Sequence, residues 1–401
     1  MRRLLLTLAA LAALALAGPA SAAAQDSPEP PDLSAAAAIV VDGRNGEVMF
    51  AENADSRRAI ASTTKLMTAL LALERARPRD VFTAPPYDAE PVESRINLRA
   101  GERMRVADLL EGLLLESAND AAVTLADGIS GSSAAFVAEM NERADELGLA
   151  DTSYANPIGF DDPANYSTAR DLAALSLRLM RRPRFRRIVD MPVAELESGA
   201  SRRVIDNRNV LVARYPWVTG IKTGHTIQAG DVLVGSARRG GARVISVVLG
   251  TPSEAARDAD TLTLLRWGLD RFRRVRAVDP RRPLARVNVE YRDERATLVA
   301  RRPGRVLIRD GERIARRVRA PGELEGPLPA GARVGSVTVL VDGRPVRRMA
   351  LVTADEVPGA GTLRILTSVL GVPLTLLGTL AILVAALLAI TRIRARRRLV
   401  R

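Results

Sequence analysis

Ser62 and Lys65 stand three residues apart in Ile60-Ala61-Ser62-Thr63-Thr64-Lys65-Leu66-Met67, a spacing that can make an activated nucleophile. A serine hydroxyl attacks poorly until a neighbouring base takes its proton, and a desolvated lysine amine can be that base. Positions i and i+3 share a helix face, so the two side chains meet if the stretch is helical. Lysine usage singles out the pair. The chain has 59 lysines plus arginines, yet lysine occurs only at 65 and 222. Ordinary positive charge is supplied as arginine, and a guanidinium stays charged where a buried ammonium can lose its proton. A helix start would also place Ser62 at the positive end of the dipole, which favours a developing oxyanion. Taken alone, the pair is equally well a helix cap beside a solvated amine, so the second lysine carries the argument.

The elements that must hold these residues follow from periodicity. The apolar run 66–73 reads as a buried helix. Before it, 37–41 and 47–50 are β-like and flank Asp42-Gly43-Arg44-Asn45-Gly46, a hairpin signal. Residues 77–105 are polar and irregular. An apolar helix over 106–116 runs into the polar turn Ser117-Ala118-Asn119-Asp120, and 121–127 is helical again. An amphipathic helix over 133–147 stops at Gly148, 156–163 is a loop, and 168–181 is a further helix. Strands are expected over 218–222, 231–237 and 243–249, the last two joined by Gly240-Gly241, with a closing helix over 253–271. This order implies an α+β fold: an antiparallel sheet flanked by helices, with a helical subdomain between its halves. From Asp279 short alternating segments separated by Pro and Gly describe a small all-β domain over 279–357. It has no lysine or histidine and reads as a spacer or a docking surface.

Charge and hydropathy place the chain in an envelope. The net charge is +13, but Arg2, Arg3 and six arginines in 392–401 account for most of it, which argues against nucleic-acid binding. Met1-Arg2-Arg3, the apolar run 4–17 and Ala20-Ser21-Ala22 form a signal peptide over 1–22, followed by a linker over 23–34. Residues 365–391 carry no charge. As a helix they would be about 40 Å long, enough to cross a bilayer core of about 30 Å. The arginines that follow predict a cytoplasmic tail over 392–401 and an extracytoplasmic body tethered by a single transmembrane helix. The chain has no cysteine, hence no disulfide or thiol chemistry, and no clustered His, Asp or Glu spacing suggests a metal or other cofactor.

Two more motifs complete the reading. Ser117-Ala118-Asn119 follows Ser62 by 55 residues, and Lys222-Thr223-Gly224-His225 lies 105 residues further on. In this order S-x-x-K, S-x-N and K-T-G resemble the penicillin-recognising serine enzymes. Within them the chain is most similar to the serine-type D-alanyl-D-alanine carboxypeptidases, the low-molecular-mass penicillin-binding proteins, over about residues 35–274. The resemblance implies a β-lactamase/transpeptidase-like catalytic domain, here 35–278. It implies peptidoglycan stem peptides as substrates and β-lactams as covalent inhibitors. It also implies roles: Ser62 is acylated, Lys65 activates it, and Ser117 relays a proton to the leaving amine. Asn119 binds the substrate backbone, Lys222 and Thr223 face its carboxylate, and Gly224 lets it approach the strand. The amides of Ser62 and His225 form the oxyanion hole. Asp161 and Asp162 are expected to brace their loop. A D-alanyl endopeptidase and a β-lactamase share the acylation chemistry, although class A β-lactamases carry S-D-N where this chain has Ser117-Ala118-Asn119. A non-catalytic wall-binding scaffold is the reading from another class. The C-terminus departs from a well-known version of the family, which has an amphipathic helix there instead of a span.

Overall fold

The computed structural model describes residues 29–362, 364–365 and 374–398. The expected signal peptide and the first residues of the linker lie outside the described residues. The chain forms two compact units: residues up to 237 together with 244–267, and 238–243 together with 268 onward.

The first unit is built on a five-stranded sheet. Strand β1 (Ala37–Asp42) is buried along its whole length, which is why it reads as an unbroken apolar run rather than an alternating one. It pairs antiparallel with β2 (Val48–Glu52), and on its other side with β11 (Ala242–Thr251). Strands β10 (Gly230–Arg239) and β9 (Val218–Thr226) complete the order β2-β1-β11-β10-β9. The sheet is therefore closed by chain segments from both ends of the unit, and everything between β2 and β9 is an insert. Lys222 to His225 lie inside β9, not at its end as the expected strand 218–222 implied.

The insert carries most of the site. A 3-10 turn, Ala61–Thr64, leads into α1 (Lys65–Arg75), whose residues from Lys65 to Ala72 are all buried. The expected single helix over 106–116 is instead broken. It is α-helical in α2 (Val106–Glu111) and then a π turn over Gly112–Glu116, ended by Ser117 with φ 64°. Such wider turns recur at functional sites because they re-aim the residues that follow. Helices α3 (Asn119–Ser130) and α4 (Ser133–Glu146) follow. The Ser132 hydroxyl caps α4 by accepting from the Ala135 amide, and Thr168 caps α5 (Ala169–Leu179) in the same way. Two short helices, α6 (Pro183–Val189) and α7 (Val210–Arg214), flank β9. The insert also holds ribbons that periodicity did not signal. Strand β3 (Arg58–Ala59) pairs with β6 (Tyr166–Ser167), β4 (Val81–Thr83) with β5 (Arg103–Arg105), and β7 (Val193–Leu196) with β8 (Arg203–Asp206). Helix α8 (Glu254–Asp270) lies against β10, where a side chain at Gly235 would meet Thr261 and Leu265. One apolar cluster joins the sheet (Ile39, Val247) to the insert (Leu109, Leu125), so the helical part shares the core of the sheet.

In the second unit β12 (Phe272–Val278) pairs with β15 (Gly304–Arg309), which places 272–278 with the β strands rather than with the catalytic unit as the expected boundary at 278 had it. A six-stranded sheet runs β16-β18-β19-β14-β13-β17. Its members are β13 (Ala285–Val289), β14 (Arg295–Ala300), β16 (Ile314–Arg319), β17 (Glu323–Leu324), β18 (Arg333–Val341) and β19 (Arg344–Thr353). Small valine-rich cores that include Val306, Val337 and Val339 hold it. Helix α9 (Leu374–Arg398) contains Thr375–Arg394, a stretch of mean hydropathy 2.3 with no buried residue. Its length and composition suit a membrane span.

Candidate active site

Ser62 and Lys65 meet as the spacing requires. Lys65 Nζ lies 2.9 Å from Ser62 Oγ and donates to the Ile158 carbonyl at 2.6 Å. Lys65 has no solvent exposure, and burial pushes its amine well below the usual 10.5. The charge of Lys222 is the next cause, and Glu93 and Asp120 act in the opposite direction. A neutral amine in this setting keeps one N–H on the carbonyl and can turn its lone pair to the hydroxyl, the requirement for a base.

Backbone shape brings Ser62 and Lys65 to the cleft. Ala61 and Ser117 both have positive φ without being glycine, 46° and 64°. Such conformations are sparsely populated and concentrate at functional sites. The loop 156–159 forms the back wall. Asn156 Oδ1 accepts from the Gly159 amide at 2.7 Å and the Phe160 amide at 3.0 Å, and Thr68 Oγ1 donates to the Pro157 carbonyl at 2.7 Å. Gly159 has φ 96°, and a Cβ there would come within 2.0 Å of the Ala61 carbonyl oxygen. Only glycine allows that loop to close on the 61–64 turn.

Strand β9 supplies the opposite wall, packed on the 61–64 turn and the π turn. A Cβ at Gly224 would lie 2.8 Å from the Ser62 amide nitrogen, so the strand edge and that amide are in direct contact. Lys222 is buried, donates to the Thr223 carbonyl at 2.8 Å, and is lowered to about 7. Burial is the main cause, and the guanidinium groups of Arg208 and Arg257 add to it against Glu116. Arg208 Nε in turn donates to Glu116 at 3.0 Å, beside Ser117. His225 is different: its side chain is 63% exposed, with Nδ1 3.4 Å from Asp231. Its imidazole therefore sits at the rim.

Ser117 is buried at the end of the π turn, and among the described residues its hydroxyl makes no hydrogen bond. Asn119 opens α3, its side-chain Nδ2 donating to Glu93 Oε2 at 2.7 Å. The Asp161 carboxylate accepts from Thr226 Oγ1 at 2.6 Å and from the Gln228 amide at 3.2 Å, bracing the β9–β10 turn. Asp162 accepts from the Ala164 amide at 2.8 Å within its own loop. Among the described residues no group of His, Asp and Glu could hold a metal ion. Two groups in contact with these residues escaped sequence reasoning. The Ile158 carbonyl is a main-chain atom and leaves no mark in residue types. Glu93 lies in the irregular stretch 77–105, where no periodicity pointed to it.

Comparison with known proteins identifies the family. Residues 24–253 match the D-alanyl-D-alanine carboxypeptidase family. The D-alanyl-D-alanine carboxypeptidase DacF of Bacillus subtilis is 29% identical over 383 residues, covering 92% of this chain and 98% of the relative. The D-alanyl-D-alanine carboxypeptidase DacC of Escherichia coli is 32% identical, covering 87% and 90%. Penicillin binding protein 5 of Haemophilus influenzae superposes with a TM-score of 0.58 at 30% identity, over 82% of this chain and 99% of that one. Its fold therefore extends over the α+β unit and beyond it. At these identities and coverages the chain belongs to the D-alanyl-D-alanine carboxypeptidase family, serine-type hydrolases and the group that its three motifs resemble.

Proposed function

We propose that this chain removes the terminal D-alanine from peptidoglycan stem pentapeptides through an acyl-enzyme on Ser62, and that β-lactams acylate the same oxygen. The observation that carries the assignment of roles is the buried amine of Lys65 at 2.9 Å from Ser62 Oγ. Ser62 Oγ attacks the carbonyl carbon of the D-alanyl-D-alanine bond while its proton passes to Lys65. The oxyanion is held by the Ser62 and His225 amides, donors worth roughly 3 to 4 kcal/mol each in comparable sites. The C–N bond then breaks, and Ser117 relays the proton held on Lys65 to the departing amine, which leaves both groups as they began. Free D-alanine leaves, and water cleaves the ester to release the shortened peptide and restore the hydroxyl. Asn119 binds the substrate backbone, and Lys222 and Thr223 receive its carboxylate along the edge that Gly224 leaves open. Helix α9 would anchor the catalytic unit outside the cytoplasm, with the arginine tail inside.

The test is a labelled penicillin followed by peptide mapping, together with D-alanine release from a diacyl-D-Ala-D-Ala peptide. The adduct is expected on Ser62, and Ser62→Ala should abolish both label and release. Label retained by that variant would remove the proposal.

A further inference from the structure

A carboxylate that none of the three motifs contains is bound directly to one of their residues. Glu93 Oε2 accepts from Asn119 Nδ2 at 2.7 Å and from the Tyr87 hydroxyl, and Glu93 Oε1 accepts from the Glu90 amide at 2.7 Å. Its place is fixed from the other side as well. The Asn119 main-chain N–H donates to the Ser94 carbonyl at 2.8 Å, and the Asp120 carboxylate accepts from the Ile96 and Leu98 amides at 3.2 and 2.9 Å. The segment beginning at Glu93 is therefore clamped onto the first turn of α3. Burial opposes ionisation of Glu93, but these three hydrogen bonds and the Lys65 charge outweigh it and hold the carboxyl below its ordinary value.

We propose that Glu93 is a positioning residue for acylation: its carboxylate fixes which way the Asn119 amide points and places a negative charge in the field of Lys65. The proposal rests on the roles given above to Ser62, Lys65 and Asn119. An ionised carboxylate only accepts hydrogen bonds, so it admits the NH2 end of the Asn119 amide and rejects the oxygen end. With one N–H on Glu93, the second N–H of Nδ2 remains for a substrate carbonyl. A neutral partner at 93 would accept either face, and a flipped amide would set its oxygen against that carbonyl. The electrostatic part acts on the base. The charged groups facing Lys65 are Lys222, Glu93 and Asp120, and of these Glu93 and Asp120 favour the ammonium. Removing the Glu93 charge leaves Lys222 less opposed, so the amine deprotonates at lower pH.

The experiment measures the second-order acylation constant of the full chain in detergent with fluorescent penicillin as a function of pH. Glu93→Gln is expected to acylate about tenfold more slowly, the loss of a hydrogen bond to a charged group. Its acid limb, which reports the coupled free-enzyme lysines, should move about half a unit or more to lower pH. Glu93→Asp should keep the limb of the parent and lose rate, because it retains the charge with shorter reach. Tyr87→Phe should leave the limb in place. Unchanged rate and limb in Glu93→Gln would overturn the proposal, as would a rate loss that tracks a lowered melting temperature with no movement of the limb. A Ser62→Ala variant that still takes the label marks failure of the underlying mechanism, a result distinct from either outcome at Glu93.

Discussion

Replacing Gly224 by alanine tests whether the strand edge and the Ser62 amide form one surface. Gly224 has no left-handed φ, so backbone strain plays no part and the added methyl acts through contact alone. Its Cβ would stand 2.8 Å from the Ser62 nitrogen, 2.9 Å from Val232 Cγ2 and 3.0 Å from Ala61 Cβ. Ordinary contact begins at 3.4 Å, so β9 and the 61–64 turn must part by about 0.6 Å at the amide. Two of the three obstacles belong to the 61–64 turn itself, one of them a backbone atom, and neither can swing aside. Overpacking of this kind costs about 1 to 3 kcal/mol of stability. Its effect on catalysis should be larger, because a displacement approaching 1 Å at a reacting centre lowers rates about a hundredfold. Acylation by fluorescent penicillin and D-alanine release should both fall by that order, while urea unfolding shows the modest destabilisation. Gly322→Ala is the control: it has open space around it and no positive φ, and should change neither measurement. Gly224→Ala acylating at the parent rate would refute the contact and the oxyanion geometry built on it.

Lys65→Arg keeps a cation but supplies no base, so acylation should drop about 10²- to 10⁴-fold; Lys65→Met should lose as much while leaving no buried charge. Parent-rate acylation by a folded Lys65→Arg protein would end the base assignment. Lys222 gives a pH test of stability. Its folded value of about 7 lies below the unfolded 10.5, so the unfolded chain binds more protons between these limits. Stability from this group is therefore fully present above 10.5 and lost as pH falls towards 7, with a slope of up to about 1.4 kcal/mol per pH unit. Urea midpoints should rise with pH over that window in the parent and rise less in Lys222→Met; equal slopes would contradict the burial of a depressed amine.

The α+β class and the order of sheet, insert and sheet were legible because β1, β10 and β11 carry apolar runs and the helices carry their own period. The broken helix at 112–116 was not. Its residues Gly-Leu-Leu-Leu-Glu continue the apolar pattern of α2, so no change of period marks where the α-helix gives way to the π turn. The short ribbons β4–β5 and β7–β8 escaped for a related reason: strands of three or four residues leave no period to read.

Residue chemistry alone singled out Ser62 and Lys65. Two lysines among 59 basic residues, each within a motif of fixed spacing, identify where a group able to lose its charge is needed. Whether such an amine does lose it depends on solvent and neighbouring charges, which a sequence does not contain. The fold decided that by burying Lys65 completely, setting Lys222 close enough to oppose its protonation, and turning the Ile158 carbonyl onto Nζ. It also brought Glu93 onto Asn119 from a stretch with no regular pattern, through the main-chain bond from Asn119 to Ser94 and the hold of the Asp120 carboxylate on the Ile96 and Leu98 amides. Covalent spacing sets which groups are available along a helix; desolvation and the approach of distant backbone set what those groups can do.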